Sequence, residues 1–356
     1  MNFVEYTSKY KPLINDNISI ILKEKINQAD DEFLKRYYTE LEDYMLSGGK
    51  RIRPLLSVAC YNALSDKNDD RILKPCVGLE FLHNASLVHD DIIDNDDVRR
   101  GYPSFHARFK TYHMKEYNSN NAESKEFGNS IGIIGGDTTI FLGLEAFFDN
   151  QYENEVNLSA IKIYEKAFLE VADGVLIEMD MIRRQNLDMS NYIKMISLKT
   201  SALIEKALLI GCNYALADES TKNLFSNFGI NLGRAFQITD DILGTFGDEK
   251  TLGKPTDSDI REGKKTCLLI EAMNKLGSQN KIKLSNLIGK KDMTGNEVKE
   301  VKELFREAKV EESCRKLAQE YYENAFKSLE KLKDTINKSE YQFFDTLLKF
   351  VVKRKF

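Results

Sequence analysis

The sequence predicts an all-α protein, and three observations carry that prediction. Apolar residues recur at helical spacing almost from end to end, only 5 prolines interrupt 356 residues, and no run of alternating β-branched residues reads as a strand. The length allows one large domain or two. With 42% hydrophobic residues the chain can bury a sizeable core, and the expectation is a single domain over residues 1–356. The formal net charge of −5 argues against a nucleic-acid partner. It leaves room for an anionic ligand, because bound metal and local lysines can reverse the field.

Residues 14–27 form an amphipathic pattern with Ile18, Ile21, Leu22 and Ile26 on one stripe, and residues 33–46 repeat it through Leu34, Tyr37, Leu41, Tyr44 and Met45. The run Ser-Gly-Gly-Lys-Arg-Ile-Arg-Pro at 47–54 interrupts them. Gly48 and Gly49 permit open backbone conformations, and Pro54 suits the first turn of the next helix. Three cations in that turn are either ordinary surface charge or a phosphate clamp in which Lys50 and Arg53 donate, with helix amides assisting. Residues 55–64 are an apolar helix and 66–71 a polar loop.

Residues 80–104 are the first stretch with visible chemistry. An apolar helix runs into Asp90, Asp91, Asp94, Asp96 and Asp97, then into Arg99, Arg100 and a Gly/Pro stop. Asp90 and Asp94 are at i and i+4 and share a face; Asp91 is turned away from Asp90 by about 100°. Like charges so placed destabilise a bare helix by about 0.2–0.5 kcal/mol, which cations would offset. Mg²⁺ binds through one or two carboxylates together with substrate phosphates. Taken alone, this could equally be a solvated acidic helix end.

Residues 112–129 are polar and Asn-rich, a surface excursion or a helix extension. Residues 130–148 read as a glycine-containing apolar helix with an unexpected Asp137. Residues 158–184 form a long helix carrying Asp173, Glu178 and Asp180, and 192–217 another with Lys199-Thr200 embedded in it. Such a lysine is more often a snorkelling side chain than a catalytic one. A second apolar helix then ends in paired acids, Asp240 and Asp241, followed by Lys254, Arg261, Lys264 and Lys265. Two acidic helix ends, each trailed by cations, suit a polyanion held through bridging metals, with Lys and Arg on the remaining oxygens. They imply two halves converging on one pocket. Residues 268–356 are helical and charged throughout.

Five cysteines are scattered without metal-ligand spacing, and their odd number argues against a disulfide framework, so the expected compartment is reducing and cytoplasmic. The N-terminus lacks the pattern of a signal peptide. No apolar run reaches 18 residues, so no transmembrane helix is expected.

Taken in order, these motifs resemble those of the trans-type polyprenyl diphosphate synthases, the group of the farnesyl and geranylgeranyl diphosphate synthases. The resemblance covers residues 48 to 266. It rests on Gly-Gly-Lys-Arg-Ile-Arg-Pro at 48–54, His83 before Asp90-Asp91-x-x-Asp94, Arg99-Arg100-Gly101, Gly136-Asp137, Lys199-Thr200, Phe236-Gln237-x-x-Asp240-Asp241, and Gly253-Lys254-Pro255 with Asp259 and Lys264. Each is weak alone; together they are specific.

The resemblance implies an isoprenoid synthase type I fold: a helical bundle around a deep central cavity, in a homodimer. It implies condensation of isopentenyl diphosphate with an allylic diphosphate (dimethylallyl, geranyl or farnesyl). Three Mg²⁺ ions, replaceable by Mn²⁺, would assist. Asp90 and Asp94 would ligate two and Asp240 the third, with Asp91 and Asp241 as supporting acids. Arg99, Lys199 and Lys254 would contact the allylic diphosphate, and Lys264 is a further substrate-binding residue. Lys50, Arg53, His83 and Arg100 would bind isopentenyl diphosphate without metal. Thr200 and Gln237 would line the site beside the cation.

Two departures stand out: Gly244 replaces the third aspartate of the second motif, and a common Gly-Gln pair is here Gly174-Val175, followed by Glu178. Product length should be set one turn before Asp90. Ala85 and Ser86 are small there, and Phe81 and Leu82 lie a turn deeper, which favours a C20 product over C25 or longer, or C15. A class I terpene cyclase and a non-catalytic synthase subunit are the competing readings.

Overall fold

The computed structural model describes residues 1–65, 69–184, 188–248 and 256–352, and they are overwhelmingly helical, as the sequence predicts. They divide into two compact units, Met1–Glu165 with Lys206–Asp218, and Lys166–Glu205 with Glu219–Phe356.

The first unit opens with α1 (Phe3–Gln28) and α2 (Glu32–Leu46), which pack together. Helix α1 begins eleven residues before the 14–27 pattern, with Tyr10, Tyr6 and Phe3 carrying its buried stripe to the N-terminus. A capping box explains this: the Asn2 side chain accepts from the Glu5 amide while the Glu5 carboxylate accepts from the Asn2 amide. Pro12 is tolerated inside it. Then come α3 (Ile52–Leu64), with Pro54 in its first turn, and α4 (Gly78–Ile93), the first aspartate helix.

A two-stranded hairpin follows, β1 (Val98–Arg99) and β2 (Tyr102–Pro103), with Arg99 opposite Tyr102. Its turn residues Arg100 and Gly101 both have positive φ, 55° and 80°, as a tight two-residue hairpin requires. Helices α5 (Phe105–Glu116) and α6 (Asn121–Glu145) complete the packing around α4. The excursion at 112–129 is therefore the end of one helix and the Asn120-capped start of the next. Gly78 and Gly143 let α4 and α6 approach closely: a Cβ on Gly143 would lie 2.9 Å from the Gly78 carbonyl oxygen.

The second unit has its own core. Helix α7 (Asn154–Met181) begins in the first unit. The stretch expected as one helix over 192–217 is instead α8 (Met189–Ile196), a π turn at Ser197–Ser201, and α9 (Ala202–Tyr214). Helix α10 (Glu219–Phe246), the second aspartate helix, packs along α15 (Val310–Leu332) and against the π turn. Between them lie α11 (Ser258–Glu262), α12 (Cys267–Lys275), α13 (Ser278–Leu287) and α14 (Gly295–Glu307), and α16 (Lys338–Val352) closes the described chain. Met181, Tyr192, Ile238, Ile242, Leu268 and Phe305 are among its buried residues. No helix among the described residues is long and apolar enough to cross a membrane.

Candidate active site

In the first unit the end of α4 divides its three aspartates by burial. Asp90 is half-buried, Asp91 buried and Asp94 exposed. The helical offset that turns Asp91 away from Asp90 points it into the protein. Its Oδ1 accepts from Arg99 Nε at 2.5 Å and its Oδ2 from the Tyr44 hydroxyl at 3.2 Å. Burial raises the Asp91 carboxyl to about 6 despite the Arg99 guanidinium, which pulls it down. Asp91 is thus tied to its own cation, while Asp90 and Asp94 remain on the outer face. His89 lies beside Asp137, Nε2 to Oδ1 3.6 Å, and over Gly136, where a Cβ would collide with the imidazole. That places the Gly136-Asp137 motif directly behind the aspartate helix.

The residues expected to bind a diphosphate without metal gather nearby. Gly48 and Gly49 have φ of 112° and 91°, so the turn at 48–54 depends on glycine. Arg100 packs on it: its Cδ lies 3.6 Å from where a Gly48 Cβ would stand, and its guanidinium carbon 3.4 Å from that of Gly49. Burial lowers the Arg53 guanidinium to about 10, with Glu80 raising it and Arg100 lowering it further, so Arg53 is still a cation at neutral pH. Its Nε is buried without a hydrogen-bond partner. His83 is driven well below its ordinary value by burial and by the charges of Arg53, Arg100, Arg99 and Arg51, so its imidazole is neutral. Lys50 is exposed.

In the second unit the π turn carries Lys199 and Thr200. A π turn inside a helix often marks a functional position, and here two glycines hold it. A Cβ on Gly174 of α7 would lie 2.4 Å from the Lys199 backbone nitrogen, and one on Gly233 of α10 would lie 2.5 Å from the Ser201 Cα. One turn beyond Gly174, Glu178 forms an ion pair with the Lys199 ammonium. Helix α7 therefore grips Lys199 at both its backbone and its charge. The Thr200 hydroxyl donates to Gln237 Oε1 at 2.8 Å, Gln237 Nε2 donates to Asp241 Oδ1 at 2.8 Å, and the Tyr192 hydroxyl donates to Asp241 Oδ2 at 2.7 Å. Burial raises the Asp241 carboxyl, and the charge of Asp259 adds to that; the Tyr192 and Gln237 donors oppose it.

The missing aspartate at Gly244 has a neighbour: Asp259 Oδ2 lies 3.4 Å from where a Gly244 Cβ would stand. Lys264 pairs with Glu262, Nζ to Oε2 2.7 Å. Lys254, with Gly253 and Pro255, falls outside the described residues.

Tyr192, Tyr44 and Glu80 were not legible as site residues. Each acts across dozens of residues of sequence, and nothing in their own spacing marks them. Ala85 and Phe81 are fully buried, and Phe81 packs toward Gly143 of α6; Leu82 is also buried and Ser86 half-buried.

The carboxylates suit Mg²⁺. Among the described residues no three acidic, histidine or cysteine side chains form a ready cage. Asp90 with Asp94, and Asp240 with Asp259, which approaches Gly244 one turn beyond it, are hard oxygen donors of the kind a Mg²⁺ ion combines with water and phosphate oxygens.

An all-α chain with two aspartate-tipped helices, a basic glycine turn and a π turn carrying Lys-Thr defines a prenyl-transferring enzyme. The polyprenyl synthetase family model matches residues 35–307. A short chain isoprenyl diphosphate synthase of Methanocaldococcus jannaschii is 34% identical, with 81% of this chain and 84% of that one covered. A geranylgeranyl diphosphate synthase of Saccharolobus solfataricus is 29% identical over 96% of this chain and 99% of that one. A solved geranylgeranyl pyrophosphate synthase from Corynebacterium glutamicum, complexed with isoprenyl diphosphate and magnesium, superposes with a TM-score of 0.89 at 25% identity, covering 100% of both chains. The chain belongs to the polyprenyl synthetase family. It is a trans-prenyltransferase with the isoprenoid synthase type I fold.

Proposed function

We propose that the chain condenses isopentenyl diphosphate with an allylic diphosphate and releases geranylgeranyl diphosphate. The observation that carries this is the gathering of Arg53, His83 and Arg100 around the glycine turn that bears Lys50, beside an aspartate helix end. A cyclase, which ionises one allylic diphosphate, has no use for such a second diphosphate site.

In the reaction the allylic C–O bond breaks and its electrons leave with diphosphate. The isopentenyl double bond attacks the allylic carbon, and a proton is lost from the adjacent carbon, with the departing diphosphate as acceptor. Asp90 and Asp94 would hold two Mg²⁺ ions, and Asp240, with Asp259 in the space of the missing aspartate, a third. Mn²⁺ would substitute. The bound ions would supply Lewis-acid stabilisation of the leaving group. Arg99, Lys199, Lys254 and Lys264 would bind the allylic diphosphate oxygens, with Asp91 and Asp241 orienting the donors around them. Thr200 and Gln237 would place oxygens beside the carbocation. His83, neutral, would donate one hydrogen bond while Lys50, Arg53 and Arg100 supply charge.

Residues 1–356 would act as one catalytic domain; the family match spans residues from both units. A homodimer is supported by the outer face of α6, where Ile133, Ile134 and Phe141 are 50%, 57% and 71% exposed. A cytoplasmic setting is supported by five free cysteines. For product length, Ser86 leaves room one turn before Asp90, and Phe81 and Leu82 would close the floor a turn deeper, which favours C20.

The test is incubation of the purified chain with Mg²⁺, labelled isopentenyl diphosphate and farnesyl diphosphate, followed by chromatography. A C20 diphosphate is expected. Conversion of geranylgeranyl diphosphate alone to hydrocarbon would establish the cyclase instead.

A further inference from the structure

The basic turn holds three cations in four residues, and they do not behave alike. Lys50 is exposed and Arg53 half-buried, whereas the Arg51 side chain is 0% exposed. Its guanidinium is committed inward on all sides. Nε donates to Asn15 Oδ1 at 2.8 Å, Nη1 to Glu80 Oε1 at 2.9 Å, and Nη2 to the Met45 carbonyl at 2.6 Å. One side chain thereby ties the turn to α1, α4 and α2. Arg51 also sits at φ 55°, in the left-handed region that a non-glycine residue holds only when its surroundings impose it. A Cβ on Gly49 would lie 3.1 Å from Arg51 Nη1, so the buried guanidinium underlies the glycine turn on which Arg100 packs. Glu80, 3% exposed as a side chain, receives a further hydrogen bond from Asn84 Nδ2 at 3.4 Å and acts through its charge on both Arg53 and Arg100.

A buried ion pair is a weak device for stability, because desolvation offsets much of the attraction and an apolar pair often does as well. What this pair supplies is position. We propose that Arg51 and Glu80 are positioning residues for the isopentenyl diphosphate site: they pin the 48–54 turn so that it stays against Arg100, with Arg53 beside His83. Neither touches the ligand. The inference rests on the diphosphate site proposed above.

The test is the charge-neutral double replacement Arg51→Met/Glu80→Leu. Because it removes one charge of each sign, the net charge beneath the turn is unchanged. Binding of isopentenyl diphosphate is measured by calorimetry in EDTA without allylic substrate, with melting temperature and both KM values alongside. The expected result is a folded protein whose affinity for isopentenyl diphosphate falls about tenfold, the equivalent of one lost hydrogen bond. Its KM for the allylic diphosphate stays within about twofold. Wild-type affinity in the folded double variant overturns the inference. Where the double variant fails to fold, Glu80→Asp keeps the charge and withdraws the carboxylate by one methylene; a selective loss of isopentenyl diphosphate affinity supports the pair's role, and unchanged affinity overturns it. A wild-type chain that does not bind isopentenyl diphosphate in EDTA overturns the site itself, a failure distinct from that of the pair.

Discussion

The two aspartate helix ends have the same dipeptide and different partners for its buried acid. At the end of α4, Asp91 is buried against a guanidinium and a phenol, Arg99 and Tyr44. At the end of α10, Asp241 is buried against two neutral donors, Tyr192 and Gln237, with Asp259 as a like-charged neighbour. The first motif brings its own cation. The second orients its acid with dipoles and leaves the charge to be met by whatever binds. They differ again in the third acid. Asp94 supplies it from the same helix, four residues on, whereas at α10 the corresponding space beside Gly244 is approached by Asp259 from α11.

The outer acids carry the largest expected effect. Asp90→Ala and Asp240→Ala should each lower kcat/KM by about a thousandfold or more, the loss of several kcal/mol of transition-state stabilisation, and excess EDTA should abolish turnover. Near-normal rates in either variant, or in EDTA, would refute the proposed metal chemistry at that helix end.

The third acid of the second motif comes next. Asp259→Ala should cost about ten- to a hundredfold in activity and weaken Mn²⁺ binding read by paramagnetic resonance. Adding Gly244→Asp to that variant should restore part of both. No loss in the single variant would show that Asp259 merely lies near the gap.

A smaller effect separates the buried acids. The Asp91 carboxyl is raised from 3.8 to about 6 by burial against the pull of Arg99. The fold therefore favours its neutral form. That contribution to stability is fully present below the unfolded value and is lost as pH rises through about 6. In EDTA, the melting temperature of Asp91→Asn should gain on that of the wild type as pH climbs from about 4 to about 7. A constant gap across that range would show that Asp91 titrates as an ordinary surface acid.

The smallest expected effect is on product length. Phe81→Ala should shift the products upward by about one isoprene unit, a depth of about one 5.4 Å helical turn. Since Phe81 packs toward Gly143, an unchanged product distribution would assign it to the α4–α6 packing alone.

Much of this was legible beforehand, for local reasons. The 3.6-residue period marks an apolar stripe wherever it is read, and the i, i+4 spacing puts Asp90 and Asp94 on one face without reference to the rest of the chain. Where the elements differ from the periodicity, the cause is also specific. The stripe of α1 runs on through Tyr10, Tyr6 and Phe3 to the capping box at Asn2 and Glu5, but Pro12 and the polar residues between them obscure it in the sequence. The π turn at Ser197–Ser201 cannot be seen in the periodicity of 192–217, because what supports it is the missing Cβ of Gly174 and Gly233 on two other helices. The scattered cysteines likewise concealed a contact: Cys60 and Cys212 stand 3.3 Å apart, sulfur to sulfur.

The family, the helical class and the inventory of reactive groups are all readable from the amino-acid order, because residue types and their spacing along a helix carry that information locally. That order could not decide which of two adjacent charges turns inward. Lys50 and Arg51 are neighbours, as are Asp90 and Asp91, yet one of each pair is accessible and the other buried in hydrogen bonds. A helical period gives the angle of a side chain around its own axis, but the burial and partners that set its charge come from other elements, and only the tertiary structure brings Glu80 under the basic turn, Tyr192 to Asp241 and Asp259 to the gap at Gly244.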